Sequence, residues 1–295
     1  MTSSREKDPQ ARIHQLVGLL DVQEDAPDRF IGYRLPGGEG RIFGGEIIAQ
    51  ALMAATRTVD PARAAHSLHA YFIRGGSEDH PTEYQVARDS DGRSFSTRRV
   101  TAIQQGEVIL NFAASFQTPE QGLEHQDEMP DVPPPEALKS DDELRLEYVN
   151  GLPEAMRERF LRPSFVDFRP LHPRHWMNHD VQAPHQTSWF RLVASPGDDP
   201  VIHRAILAYI SDMQLLGTCA LPHGLSWMRG ELMSASLDHA IWIHDDFRID
   251  DWLLFDAVSP IARGSRGLNH AKIWSRDGRL VASVAQEGLI RKRRV

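Results

Sequence analysis

Residues 47–58 read IIAQALMAATRT, a largely apolar stretch from which the fold can be inferred. Its apolar side chains cover most of the circumference of a helix: Ile47, Ile48, Ala51, Leu52, Ala54 and Ala55. A helix that is apolar nearly all round is a buried helix. Runs of alternating apolar and polar residues follow it, so the sequence predicts an antiparallel sheet wrapped around one central helix, an α+β architecture.

The same order of elements occurs twice along the chain. After the first helix, strands are predicted at Ser67–Ile73, Thr82–Ala87, Ser94–Gln104 and Glu107–Gln117. In the second half a helical stretch, Met213–Leu221, precedes strands predicted at Ala235–His244, Trp252–Val258, Gly267–Ser275 and Arg279–Gln286. A shift of 172 positions superimposes Gly92 on Gly264 and Gly106 on Gly278. We therefore expect two copies of one fold.

An acidic, proline-rich segment separates the two copies. It runs from Thr118 to about Pro163 and is expected to be a linker with a short helix between Lys139 and Met156. The predicted organisation is a flexible N-terminus (1–14), a first copy (15–118), the linker (119–163), a second copy (164–291) and a basic tail (292–295).

Composition excludes several classes of function. The net charge of −8 gives no general attraction to nucleic acids. Cys219 is the only cysteine, so no intrachain disulfide can form, which suits a reducing cytoplasm. The N-terminal residues lack the apolar core of a signal peptide, and no run of about 18 apolar residues is present. These features predict a cytoplasmic protein with no membrane span.

Gln286 is an unusual residue for its place in the sheet. Leu280, Ala282 and Val284 share one face of the last predicted strand, and Gln286 is next on that face. A buried amide without partners costs about 1–3 kcal/mol. Under the shift of 172 positions its counterpart in the first copy is Ala114. The amide therefore lies past the end of the core or meets a polar group there.

Five segments resemble motifs of the type II acyl-CoA thioesterases, in the same order. They are Arg41–Leu52, His66–Arg74, Ser94–Val100, Ser236–His244 and Val284–Gly288. The resemblance extends from about residue 15 to residue 291. It implies the double hotdog fold, which agrees with the repeat, and the hydrolysis of fatty acyl-CoA without a metal or cofactor. It also implies a homo-oligomer, a dimer or tetramer of the double unit.

The resemblance also implies a catalytic trio, which falls on Asp212, Ser236 and Gln286. These residues are expected to hold and activate a water for attack on the thioester carbonyl. Asp212 precedes an apolar stretch, so we expect it near a helix N-terminus, where it could also be an N-cap. We expect a backbone N–H at the start of that second helix to meet the oxyanion. Glu46 stands where the resemblance leads us to expect Gln.

The repeat provides an internal comparison for the trio. Ser236 has a counterpart in Ser67, whereas Gln286 corresponds to Ala114, and a looser alignment puts Gly45 near Asp212. One copy therefore carries the amide and the carboxylate and the other lacks both. This asymmetry predicts one catalytic site per chain, in the second copy.

Other interpretations have weaker support. In one continuous strand Ser236 and Asp238 would point away from His239, so this run does not predict a serine-hydrolase triad, and no Gly-x-Ser-x-Gly motif occurs. Cys219 lies in an apolar stretch and is expected to be a core thiol. A zinc site is a weak alternative for these residues: His172, His175, His179 and His185. A non-catalytic acyl-CoA-binding hotdog protein and a hotdog enoyl-CoA hydratase remain alternatives.

Overall fold

One antiparallel sheet of thirteen strands runs through both halves of the chain in a computed structural model. The structure describes residues 8–34, 40–152, 154–173, 180–227 and 229–293. The first half contains helices α1 (Pro9–Leu20) and α2 (Gly44–Thr56). Its strands are β1 (Val22–Ala26), β2 (Arg29–Gly32), β3 (Ala64–Phe72), β4 (Thr82–Asp91), β5 (Phe95–Gln104) and β6 (Glu107–Gln117).

Two short helices, α3 (Asp141–Tyr148) and α4 (Glu154–Phe160), lie between the halves. The second half has one long helix, α5 (Pro200–Gln214), continued by a 3₁₀ segment, Leu215–His223. Its strands are β7 (Val166–Pro170), β8 (His185–Leu192), β9 (Leu232–Ser236), β10 (Asp238–Ile243), β11 (Leu253–Arg263), β12 (Arg266–Ser275) and β13 (Leu280–Lys292).

The strand order repeats itself about the centre of the sheet. The first copy has the order β4-β5-β6-β3 and the second has β11-β12-β13-β10. Strands β3 and β10 pair with each other, with Leu68 opposite Ile241, so the two copies share one continuous sheet. The α+β class and the repeat predicted from the sequence are confirmed. The strands of the two copies are joined edge to edge through β3 and β10, a feature that the sequence did not reveal.

Helix α2 is buried along its length, as its composition predicts. Every residue from Gly45 to Ala55 is buried. It crosses α5 at very short range, because a Cβ added to Gly45 would lie 2.4 Å from the backbone oxygen of Tyr209. Only glycine permits this approach, so the pair of central helices is fixed where α2 begins.

The second helix differs from its prediction. The sequence indicated Met213–Leu221, but α5 begins at Pro200, with the Asp199 side chain accepting a hydrogen bond from the N–H of Val201. An Asp N-cap followed by proline is a strong start signal. The predicted stretch is instead the 3₁₀ continuation, which contains Pro222. Asp212 therefore lies in the last turn of α5 and not at a helix N-terminus.

Helix α1 includes residues that the sequence predicted to be flexible. Residues 9–14, which were expected to be flexible, form the first half of α1, with Ile13 fully buried. The helical segment Pro200–His223 is long and apolar enough by composition to cross a membrane, and 67% of its most apolar window is buried inside the protein.

Candidate active site

The structure brings the three predicted site residues into direct contact. Asp212 comes from α5, Ser236 ends β9, and Gln286 lies within β13. The Gln286 Nε2 atom donates to Asp212 Oδ1 (2.5 Å) and to Ser236 Oγ (3.0 Å). Ser236 Oγ also donates to Asp212 Oδ1 at 3.3 Å. Gly288 and Ile290 follow Gln286 on the same buried face of β13, so the amide lies within the core and has polar partners there.

A β-bulge at Leu237 directs Ser236 into this cluster. Ser236 lies opposite Gly288 of β13, whereas Ala240 lies opposite Ala285. The chain advances four residues from Ser236 to Ala240, whereas β13 advances three between their partners. One residue is therefore extra, which defines a β-bulge. The bulge reverses the alternation of the faces, so Ser236 and His239 both face the same side as Gln286. The expectation that Ser236 and His239 point to opposite faces was wrong, because it assumed one continuous strand.

The first copy contributes its helix N-terminus to the site. The backbone N–H of Gly45 lies near enough to the Asp212 carboxyl group to lower its pKa. A Cβ on Gly44 would lie 2.7 Å from Asp212 Oδ2, so glycine is needed for this approach. The start of α5 is twelve residues from Asp212, about 18 Å along a helix. The helix start beside the carboxylate is therefore that of α2, and the expectation that it belongs to the second helix was wrong.

The environment of Asp212 favours its neutral form more than water does. Burial raises the pKa of Asp212 to about 6, and hydrogen bonds from Gln286, Gly45 and Ser236 oppose the rise. The carboxylate is still largely ionised at neutral pH and its proton affinity is close to that optimal for a general base. Gln286 Oε1 is buried and has no hydrogen-bond partner among the described residues. It is free to accept a hydrogen bond from a bound molecule.

A cavity of about 600 Å³ opens beside the trio, with Asp212 and Ser236 in its wall. This volume is typical of small-molecule sites. Its apolar lining comes from several elements: Ile42, Phe43, Leu144, Phe168, Met213, Leu216, Leu221 and Trp227.

Helix α3, in the segment expected to be a linker, forms part of the cavity wall. A capping box between Ser140 and Glu143 starts this helix, and Leu144 is 3% exposed where it lines the cavity. Arg145 lines the cavity beside it. This segment was predicted only as a linker with a short helix, although the Ser140-x-x-Glu143 signature could have placed the start of the helix.

The remaining candidates have structural explanations. Cys219 is 1% exposed and its Sγ donates to the backbone oxygen of Leu216 (3.1 Å), so the predicted core thiol is confirmed, and burial raises its pKa. His185 contacts the carboxylate of Asp256 (2.7 Å). His172 lines the cavity, and two other proposed zinc ligands, at positions 175 and 179, lie outside the described residues. Among the described residues, no group of three or more potential ligands is placed to hold a metal.

Glu46 forms a buried ion pair at the start of α2. Both terminal nitrogens of the Arg34 guanidinium donate to its carboxylate. Burial raises the pKa of Glu46 to about 7, and the positive charge of Arg34 opposes the rise. An acidic side chain in the first turn also interacts favourably with the helix dipole. The ion pair fixes the N-terminus of the helix that contacts Asp212.

Comparisons with known proteins agree with this geometry. Residues 159–289 match the family described as acyl-CoA thioesterase, and residues 34–117 match the acyl-CoA thioesterase N-terminal domain. The human acyl-coenzyme A thioesterase 8 is 40% identical over 85% of this chain and 81% of its own length. The acyl-CoA thioesterase 2 of Haemophilus influenzae is 35% identical over 95% of this chain and 98% of its own length.

A solved structure shares the fold over nearly the whole chain. The crystal structure of the acyl-CoA thioesterase II TesB2 from Mycobacterium marinum has a TM-score of 0.75 and 40% identity, covering 96% of this chain and 98% of that one. With the repeated helix-and-sheet unit, this agreement confirms the double hotdog fold. The chain belongs to the acyl-CoA thioesterase family and is a thioester hydrolase.

Proposed function

We propose that the protein hydrolyses fatty acyl-CoA to a free fatty acid and coenzyme A, using a water activated by Asp212, Ser236 and Gln286. One observation carries the assignment of these residues. A buried carboxylate, a hydroxyl and an amide contact one another within 2.5–3.3 Å, and two of them form part of the wall of one cavity. Each has a chemical property that hydrolysis by water requires.

Asp212 acts as the general base. It removes a proton from the water as the oxygen attacks the thioester carbonyl. Its raised pKa supports this role, because a carboxylate with higher proton affinity accepts the proton more readily. Ser236 and Gln286 orient the water, and the unpartnered Oε1 of Gln286 is available to accept its second hydrogen.

The N-terminus of α2 stabilises the negative charge that develops on the carbonyl oxygen. The first turn of a helix presents backbone N–H groups without intrahelical partners and a partial positive charge. Gly44 lacks a side chain that would separate this turn from the Asp212 carboxylate. Such preorganised donors contribute strongly to catalysis of acyl transfer.

The apolar lining of the cavity suits an acyl chain. Phe43, Leu144 and Phe168 are among the side chains that line it, and burial of each CH₂ contributes about 0.8 kcal/mol to binding. Homo-oligomer formation and a cytoplasmic location stay predictions from the sequence.

Asp212→Asn tests the proposal. The variant should lose about 10²–10⁴-fold of kcat, the usual contribution of a general base, in an assay that follows thiol release from palmitoyl-CoA. Asp167→Asn is the matched control, because Asp167 is a part-buried carboxylate paired with Arg169 and lies outside the trio. Activity of Asp212→Asn within a few-fold of wild type would show that the base is misassigned.

The same assay separates hydrolysis from both alternatives, since neither releases thiol. A wild-type protein that binds acyl-CoA without releasing thiol would be a binding protein. A protein that hydrates an enoyl-CoA while the thioester stays intact would be a hydratase.

A further inference from the structure

His239 is a fully buried histidine beside the catalytic carboxylate. Its ring has no exposed surface and comes from β10, whose alternate residues His239, Ile241 and Ile243 are buried. Nε2 lies 2.9 Å from Ser211 Oγ, and Nδ1 lies 4.0 Å from Asp212 Oδ1. The bulge at Leu237 places this ring on the same face of the sheet as Gln286.

The hydrogen bonds of Ser211 determine which ring nitrogen carries the proton. The Ser211 hydroxyl donates to the backbone oxygen of Ala208 (3.0 Å), so its oxygen is left to accept from Nε2 of His239. Burial lowers the pKa of His239 to about 3, so the ring is neutral and has one proton. With the Ser211 hydrogen directed at Ala208, that proton is assigned to Nε2, and Nδ1 is left with a lone pair toward Asp212.

This lone pair has no hydrogen-bond partner among the described residues. A buried acceptor without a donor is unfavourable by about 1–3 kcal/mol. An ionised Asp212 cannot donate a hydrogen bond to Nδ1, since both groups are then acceptors. A protonated Asp212 could donate to it after a small movement that shortens the 4.0 Å separation.

We propose that His239 is a positioning residue whose Nδ1 accepts a hydrogen bond from Asp212 while that carboxyl holds the proton taken from water. The inference rests on the proposed function. In the first step the O–H bond of water breaks, its proton goes to Asp212 and the C–O bond forms. In the second step the C–S bond breaks and the proton passes from Asp212 to the departing sulfur. His239 stabilises Asp212 between the two steps.

In the structure the other groups around Asp212 stabilise its ionised form. Among the described residues, β9 and β13 present the neutral Ser236 and Gln286 to the carboxyl group, and α2 presents the backbone N–H of Gly45. All three lower the pKa of the carboxyl group and so favour its ionised form. The other ionisable groups nearby are Tyr209 on α5 and, acting on Tyr209, the ion pair of Glu46 with Arg34.

The first copy again provides a comparison. Strands β3 and β6 place Leu68 opposite Ala114. The register of β10 on β13, extended by one residue, places His239 opposite Gln286. The copy without the amide therefore has an apolar residue at both positions, and the copy with the amide has a polar residue at both.

Four variants test the inference through the pH dependence of kcat/KM. His239→Gln can keep a donor to Ser211 but removes the acceptor at Nδ1. Ser211→Ala leaves the ring free to carry its proton on Nδ1 and to donate to ionised Asp212. Both changes favour the ionised carboxylate, so the acidic limb of the profile should move to lower pH by about half a unit. For His239→Gln, kcat should fall about tenfold, within the range for assisted proton transfer, with KM changed less than about twofold.

Two of the four variants are controls. His239→Asn retains an amide near the position of Nδ1 and should leave the acidic limb near its wild-type position. His203→Gln changes a different buried histidine, which lies on α5 and contacts the backbone oxygen of Gly197 and the N–H of Ile249. It should lower Tm without moving the limb.

The outcomes separate this inference from the proposed function. A limb unchanged within about 0.2 units in both His239→Gln and Ser211→Ala would overturn the role of His239, even if Tm falls. An active Asp212→Asn variant would instead overturn the proposed function. Shifts in both variants, with an inactive Asp212→Asn, support both.

Discussion

Gly44, the first residue of α2, lies against the carboxylate of Asp212 in the last turn of α5. The approach is so close that a Cβ on Gly44 would lie 2.7 Å from Asp212 Oδ2 and 2.9 Å from the ring of Phe72. The site is therefore built between the two copies. The second copy supplies the side chains, and the first copy supplies the helix start that they face.

Gly44→Ala should reduce activity more than stability. The new methyl group must displace the Asp212 carboxylate or the Phe72 ring, since contacts under 3.0 Å do not occur for real Cβ atoms. A shift of about 1 Å in a catalytic group costs on the order of 10²-fold in rate. We expect a loss of kcat of that order, measured by thiol release, with far-UV circular dichroism unchanged.

Gly45→Ala should instead reduce stability. Its Cβ would meet the backbone oxygen of Tyr209 at 2.4 Å, and neither helix can move away without loss of packing. Forced overpacking of this kind typically costs about 1–3 kcal/mol in the free energy of unfolding, measured by urea denaturation. Gly18→Ala in α1 is the control, because a Cβ there meets nothing within 4 Å. It should be neutral or stabilise the protein by up to about 1 kcal/mol. Equal stability of the Gly45 and Gly18 variants would contradict the packing argument.

Activity and stability should depend on pH in opposite directions near pH 6. In the proposed mechanism hydrolysis needs the ionised form of Asp212, so kcat/KM should fall as pH decreases through about 6. The folded pKa is above the unfolded value of 3.8, so the unfolded state loses its proton first. The contribution of Asp212 to stability is thus most favourable below pH 3.8 and is lost as pH rises to about 6.

Asp212→Asn removes this unfavourable ionisation. The difference in pKa corresponds to about 2–3 kcal/mol. Urea denaturation at pH 8 should therefore show the variant at least as stable as wild type, and the difference should shrink at pH 4. A variant less stable than wild type at pH 8 but not at pH 4 would contradict the sign of the effect.

The sequence predicted those parts of the molecule that depend on local pattern. The apolar circumference of residues 47–55 located α2, and the polar end of an apolar face pointed to Gln286. Features that depend on tertiary context were missed or misplaced. The start of α5 was missed because the apolar stretch after residue 213 outweighed the Asp199-Pro200 signal. The bulge at Leu237 is a property of pairing with β13 and is not visible in one strand.

Ser236 should act through its hydroxyl. Ser236→Thr retains an oxygen that can donate to Asp212 and accept from Gln286, whereas Ser236→Ala leaves Gln286 Nε2 with one partner fewer. We expect Ser236→Ala to lose about tenfold or more in kcat, corresponding to roughly 1.4 kcal/mol, and Ser236→Thr to lose clearly less. Equal losses in the two variants would remove the hydroxyl from the mechanism.

Ala114→Gln should not create a second active site in the first copy. Ala114 is 3% exposed, and its partners across the sheet are Leu68 of β3 and Arg98 of β5 rather than a carboxylate. Introduced into Asp212→Asn, it should leave thiol release at the level of the single variant. The buried amide and its added volume should reduce the free energy of unfolding by about 1–3 kcal/mol. Introduced into the wild type, it should leave kcat unchanged at temperatures well below Tm. Any recovery of hydrolysis in the double variant would show that an amide alone can activate the water, and the carboxylate would then lose its assigned role.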